Sequence, residues 1–216
     1  MKKLTIFLAV CFISTSCQIS DLEPGSSTTI GGSTDLTMNA VGNEFYGSVK
    51  IGDTYFDTNE SIKVTKSEDG ILTLSIKADL PTSSPLTQLI PSSMKDADGK
   101  LNVVGKFKNT SEGILDYTNK NGSPFVLVKY DSKIGDKYVL KKNDGKTITR
   151  TVVGKSTVDE YPYGFYNIKV MTVEQDSRIP GVEKILYRAN HKFGLVEVEI
   201  VMEDGTSTHI YTYSVK

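Results

Sequence analysis

From Leu72 the apolar residues Leu72, Leu74, Ile76, Ala78 and Leu80 alternate with Thr73, Ser75, Lys77 and Asp79. A period of two is that of an extended strand with one buried and one wet face. Late in the chain Val196, Val198, Ile200 and Met202 alternate in the same way with Glu197, Glu199, Val201 and Glu203. Asp-Gly pairs begin at Asp69, Asp98, Asp144 and Asp204, and Asn121-Gly122 adds a related signal. Such pairs accept the positive φ that tight turns between antiparallel strands require. Three of them separate convincing strands and predict hairpins, 61–67 with 71–80, 137–142 with 147–153, and 194–203 with 206–215. Further strands are expected near 44–51, 101–108, 125–130, 165–174 and 184–190. Only 84–94 (SPLTQLIPSSM) reads as helix, and Pro91 limits it to a turn or two.

The expected fold class is therefore all-β. A single antiparallel meander of this size must curl to hide its apolar face, as a half-barrel, a closed barrel or a sandwich, with at most one short helix. The domain is expected over 43–216. Before it, residues 24–39 (PGSSTTIGGSTDLTMN) are rich in Ser, Thr and Gly with isolated apolar positions. Such a stretch buries too little surface to offset the entropy of ordering, so 17–42 reads as a lipidated N-terminus and flexible tether.

Residues 1–16 have the parts of an export signal: Lys2 and Lys3, an apolar run from Leu4 to Ile13, then Ser14, Thr15 and Ser16. The run is too short to span a bilayer, which takes about 20 residues. The cysteine that follows, Cys17, gives this segment its resemblance to a bacterial lipoprotein precursor, although Ser14 stands where that pattern usually has Leu. The resemblance implies cleavage before Cys17, acylation of its sulfur and attachment to a membrane without a spanning helix. Cysteine usage agrees, because Cys11 leaves with the signal and Cys17 would be the mature chain's only thiol. The alternative is plain secretion with cleavage near Ser16. Gln18 after the cysteine is compatible with delivery to the outer membrane, and the nearby Asp21 and Glu23 resemble the acidic stretch of surface-exposed lipoproteins of the Bacteroidota type. The expected place is thus the cell envelope, lipid-anchored at the outer membrane, facing the periplasm or the exterior.

Charge narrows the partners. The chain has 25 Lys and Arg and 26 Asp and Glu; with Lys2 and Lys3 removed the balance is 23 against 26, a net of −3. A near-neutral surface argues against nucleic acid, which calls for a basic face. The segments YPYGFYNIKVMTV from Tyr161 and YRANHKFGLVEVEIVMEDGT from Tyr187 resemble the C-terminal part of uncharacterised bacterial lipoproteins with half-barrel folds akin to lipoprotein carriers. That resemblance implies a concave face, and no activity.

No catalytic constellation is visible, and the chain is not expected to be an enzyme. Of the two histidines, His191 and His209, neither lies in a zinc-protease helix motif or has a second ligand at metal spacing, so no metal and no cofactor are expected. No Ser occupies a Gly-x-Ser-x-Gly elbow. Glu197 and Glu199 share a strand face about 7 Å apart, a glycosidase-like separation that is also the ordinary way to keep a sheet face wet. Asp96-Ala97-Asp98-Gly99 begins like a calcium loop, but the twelfth position is Phe107 instead of Glu. What remains is aromatic: Tyr161, Tyr163, Phe165 and Tyr166, with Tyr211 and Tyr213 beside His209. Tyrosine joins an apolar body to a polar tip and suits either a core rim or a ligand groove.

The expected function is that of a membrane-anchored, non-catalytic lipoprotein binding an apolar molecule or an envelope protein. Tyr161, Tyr163, Tyr211 and Tyr213 are the candidate lining of its concave face. Two rivals stand beside it: a structural or adhesive surface domain without a cavity, and a hydrolase in which His191 or His209 meets a carboxylate and a hydroxyl.

Overall fold

The computed structural model describes residues 26–79, 87, 90–118, 122–141, 146–177 and 179–214. The predicted signal segment, Cys17, most of 84–94, and the turn residues Asn121 and Asp144 lie outside the described residues.

The described residues form fourteen strands: β1 (Glu44–Ile51), β2 (Thr54–Glu68), β3 (Ile71–Ala78), β4 (Leu101–Thr110), β5 (Gly113–Asp116), β6 (Phe125–Lys129), β7 (Lys137–Lys141), β8 (Thr147–Lys155), β9 (Tyr161–Tyr163), β10 (Tyr166–Ile168), β11 (Met171–Asp176), β12 (Val182–Asn190), β13 (Gly194–Met202) and β14 (Ser207–Ser214). Twelve form one antiparallel sheet in the order β6-β5-β4-β3-β2-β1-β14-β13-β12-β11-β8-β7, nearly closed into a barrel. β9 and β10 form a separate hairpin. The all-β expectation therefore holds. The expected hairpins appear as β2–β3, β7–β8 and β13–β14. Asp69 (φ 51°) and Gly70 (φ 77°) turn the first of them in the left-handed conformation that an Asp-Gly pair accepts.

Two strands differ from the expectation. The 165–174 segment is not one strand; Gly164, at φ 62°, turns β9 into β10, and β11 starts only at Met171. β5 was not anticipated, because four residues are too few to establish a period.

The sheet curls because its ladders are irregular. Register shifts interrupt five of the strand pairs, β1–β2, β2–β3, β5–β6, β8–β11 and β12–β13. Each extra residue bends its strand and increases the local twist. The inward positions carry the core. Leu101, Phe107, Ile185, Val198 and Ile200 all belong to one buried cluster inside the barrel. β6 is buried at four consecutive positions, Phe125 to Val128, and β5 along its whole length.

The barrel's seam lies between the edge strands β6 and β7, and the chain before β1 crosses it. The Ser27 N–H donates to Val139 O on β7 at 2.6 Å, while Ser27 O accepts from Val126 N on β6 at 2.9 Å. Ser27 Oγ also accepts from Val139 N, and Ser26 Oγ from Lys141 N. Further on, Ser33 O accepts from Ser111 N, and Met38 is buried in a 3₁₀ turn (Thr37–Asn39). The 17–42 segment was expected to be a free tether; from Ser26 onward it is instead hydrogen-bonded to the sheet. The reason is backbone satisfaction: an unpaired edge strand presents N–H and C=O groups that a passing extended segment can complete.

Inside the seam, Arg150 of β8 supplies a second closure. Its guanidinium donates to Asp116 Oδ2 on β5 at 2.8 Å, to Val126 O on β6 at 3.1 Å and to Gln175 Oε1 at 2.8 Å. It lies 4.2 Å from the centroid of Phe125 and 5.2 Å from that of Tyr187. The inward residues Ile148, Arg150 and Val152 show that this arginine occupies a core position and is only 4 % exposed.

Candidate functional site

Two places in the barrel have the makings of a site, one inside and one outside. The inner one is a residual cavity of about 130 Å³ in the lumen. Phe45, Leu74, Ile76, Phe107, Val198 and Ile210 form most of its wall, and the polar side chains of Asn109 and Thr212 touch its edge. Asn109 also joins the N-terminal segment: its carbonyl accepts from Asn39 Nδ2 at 3.0 Å. Asn39 Oδ1 is buried there without a donor among the described residues.

The four candidate tyrosines are not in this lining. Successive residues of a strand point to opposite faces, and Ile210 and Thr212 face the lumen. His209, Tyr211 and Tyr213 therefore face outward. The β9–β10 hairpin lies over that outer face, where Tyr163, Ile168 and Val170 pack with Val196, and Tyr161, Phe193 and Tyr213 flank them. The prediction that Tyr161, Tyr163, Tyr211 and Tyr213 line the concave face is thus corrected in place, although the structure does gather all four. Tyr163 stacks 5.3 Å from Tyr213 and 4.7 Å from Phe193. Tyr211 stacks on Tyr213, on Tyr55 and on His209, the last at 6.0 Å with nearly parallel rings.

At the centre of the outer face is Glu197, only 2 % exposed. Its Oε2 accepts from the Tyr161 hydroxyl at 2.6 Å and from Arg188 Nη1 at 2.7 Å. Its Oε1 lies 2.6 Å from His209 Nδ1. Arg188 Nη2 donates to Glu199 Oε2 at 2.8 Å, and Ser207 Oγ donates to Glu199 Oε1 at 3.0 Å. The His209 Nε2 is 3.9 Å from Glu199 Oε1. Tyr161 comes from β9, and β12, β13 and β14 deliver the other groups. The β13–β14 register sets Glu199 opposite His209 and Glu197 opposite Tyr211. β12 sets Arg188 opposite Glu197, and next to that pair the bulge at Val196 lets Leu195 face the lumen while Val196 packs outside.

The electrostatics follow from burial and neighbours. Burial alone pushes the Glu197 carboxyl up, but the hydrogen bonds from His209 and Tyr161 and the charge of Arg188 more than offset it and hold the carboxyl below its ordinary range. Burial, then the bond to a carboxylate that must remain ionised, pushes the Tyr161 hydroxyl well above the ordinary phenol value. Tyr161 is therefore a hydrogen-bond donor to Glu197 at any ordinary pH.

Other sequence candidates are scattered. His191 packs edge-on against Tyr130, away from the His209 group. Asp96 Oδ1 accepts from the N–H groups of Asp98 and Lys100, so this carboxylate caps its own turn, as an Asx turn does. The carboxylate pair Glu197 and Glu199, read from sequence as a wet strand face, is held by Arg188. The sequence reading missed Arg188 and the meeting with His209. Pairing residues outward from a two-residue Asp204-Gly205 turn would put residue 199 opposite residue 210; the turn instead holds three residues, 203–205, with the Met202 N–H donating to Thr206 O, and this sets Glu199 opposite His209.

Comparison with known proteins gives no match to a family model, to a curated protein or to a solved structure. Function has to be argued from the two places just described.

Proposed function

We propose that this chain is a lipid-anchored protein of the bacterial cell envelope that holds a small apolar molecule, or the apolar end of a larger one, inside its barrel and does no chemistry on it. The observation that carries the reading is the unfilled lumen space walled by Phe45, Leu74, Ile76, Phe107, Val198 and Ile210. Protein interiors are ordinarily packed with few voids larger than a water molecule. An apolar cavity of about 150 Å³ stays dry and accepts benzene, so a space of about 130 Å³ suits one ring or a short hydrocarbon end. Pockets for drug-sized ligands are larger, about 300 Å³ and above. The anchoring half of the reading rests on the lipoprotein-like residues 1–17, with Cys17 as the acylated residue and the outer membrane as the destination.

The test for the lumen is recovery of apolar molecules by mass spectrometry from the purified protein, together with thermal shifts in benzene or toluene. Val198→Phe fills the space and should abolish both signals, whereas Val104→Phe, on the exposed side of β4, should keep them. No co-purifying molecule and no thermal shift in the wild type would end the ligand reading. For the anchor, labelled palmitate should enter the wild-type protein in cells and not Cys17→Ser; an unlabelled wild type would end that part.

A second reading, docking to an envelope protein, draws on Phe165. This side chain stands fully exposed at the β9–β10 turn, beside the half-exposed Tyr166. A photocrosslinker placed at 165 should trap one defined partner in cells if this reading holds, and a crosslinker at Ile134, also exposed, should not.

A further inference from the structure

We infer that the outer face carries a binding site for one divalent transition-metal ion of the zinc type, with Glu197, Glu199 and His209 as its ligands. Their candidate ligand atoms, one carboxylate oxygen from each glutamate and one ring nitrogen, all lie within 4.8 Å of one another. This site is separate from the lumen and does not depend on the ligand reading.

The geometry comes from how the carboxylates are held. Arg188 takes Oε2 of Glu197 through Nη1 and Oε2 of Glu199 through Nη2. With both Oε2 atoms engaged on the β12 side, both Oε1 atoms turn toward His209 on β14, that of Glu197 at 2.6 Å from Nδ1 and that of Glu199 at 3.9 Å from Nε2. The Tyr161 hydroxyl adds a second bond to Glu197 Oε2. Such outer contacts orient and stiffen metal ligands in known sites. Four tetrahedral ligands about 2.0–2.1 Å from zinc stand about 3.4 Å apart. The Glu197–His209 Nδ1 contact therefore opens by less than 1 Å as the ion replaces the shared hydrogen, and the Glu199 oxygen closes in from within the 4.8 Å that bounds the three ligand atoms.

Charge also favours one cation. Two carboxylates and one guanidinium leave a net charge of −1 when the imidazole is neutral. Lys50, paired with His209 across β1–β14, does not cancel it by contact, because its Nζ lies over the Tyr55 ring at 5.4 Å. One imidazole with two carboxylates is a mixed nitrogen and oxygen set that suits zinc and its neighbours. Calcium and magnesium call for six or more oxygens or several retained waters. His209 is partly exposed, so a fourth position is open to solvent beside the Tyr211 ring, where water or a donor atom from another molecule completes the shell.

The experiment is calorimetric titration of zinc into the full-length protein carrying Cys11→Ser and Cys17→Ser, so that no thiol competes. Cobalt absorption in the same protein reports coordination number. One ion per chain is expected, with a four- or five-coordinate cobalt spectrum. Glu199→Gln and His209→Ala should each weaken binding at least about tenfold, and His191→Ala should leave it unchanged. Should His209→Ala unfold, His209→Asn replaces it, and zinc-induced shifts of the His209 ring signals in the wild type give an independent reading. No saturable binding, or binding that survives loss of His209 and Glu199, overturns the assignment and leaves the cluster as a salt-bridge network alone.

Discussion

Among the described residues the barrel contains two arginine–carboxylate centres, one on each side of the same sheet. Arg150 inside spends its guanidinium on Asp116, Val126 O and Gln175, and its faces on Phe125 and Tyr187. Asp116 in turn accepts from Thr118 N. The contacts with Asp116, Val126 O and Phe125 cross the β6–β7 seam from β8 to β5 and β6, and those with Gln175 and Tyr187 hold the guanidinium in place. Arg188 outside binds two carboxylates at once, and those carboxylates keep their other oxygens for His209 and Ser207. Similar chemistry therefore does different work: a saturated pair closes a fold, whereas a pair with spare lone pairs next to solvent offers a site. A buried ion pair earns a functional reading only when its partners have unspent capacity.

The sharpest way to break this comparison is to remove Arg150. Arg150→Met leaves the Asp116 carboxyl buried without its cation, which should cost about 3–5 kcal/mol in urea unfolding. Adding Asp116→Leu should recover much of that loss, since replacing both partners of a buried pair by apolar groups is often near neutral. If the single change costs under about 1 kcal/mol, the seam is held by other means. Glu197→Gln is the outer counterpart. It removes charge-assisted bonds from Arg188, Tyr161 and His209, and a loss of about 1.5–3 kcal/mol is expected.

Acid titration sharpens the same contrast. A carboxyl held below its unfolded value contributes stability that is present above the unfolded pKa, near 4.3 for Glu, and is lost as pH falls through the lower folded value. Glu197 faces Tyr161 of β9, Arg188 of β12, Glu199 of its own strand, and His209 and Tyr211 of β14. The stability gap between wild type and Glu197→Gln should therefore be full at pH 6 and shrink below about pH 4. A gap that widens on acidification would contradict the network. The smallest effect belongs to neither centre: Phe165→Ser, at a fully exposed turn, should stay within about 0.5 kcal/mol.

How much of this could be read in the chain depends on range. The alternation at Leu72–Ala78 and the Asp-Gly turns were enough for three hairpins, because both act over a few residues. β5 and β9, of four and three residues, carry too little period to stand out. The pairing of Glu199 with His209 required knowing that the turn after β13 holds three residues and not the two of the Asp-Gly pair, so counting alone would have missed it by one residue. Arg188 was out of reach as well, because the bulge at Val196 shifts the β12–β13 register by one residue. Arg150 left a trace that was overlooked, a cation at an inward position between Ile148 and Val152. Its partner, 34 residues earlier on β5, depends on closure of the barrel and on nothing local. The outward placement of Tyr211 and Tyr213 follows from knowing which parity faces the lumen, and alternating tyrosine and isoleucine leave that choice undecided.

The serine that bridges the two edge strands has a mechanical corollary. If the protein hangs from Cys17, the leash to Ser26 is nine residues and reaches no more than about 30 Å when taut. The bridged seam would then stand within about 30 Å of the bilayer, and any tug from the membrane would be felt first at the bonds between Ser27, Val126 and Val139.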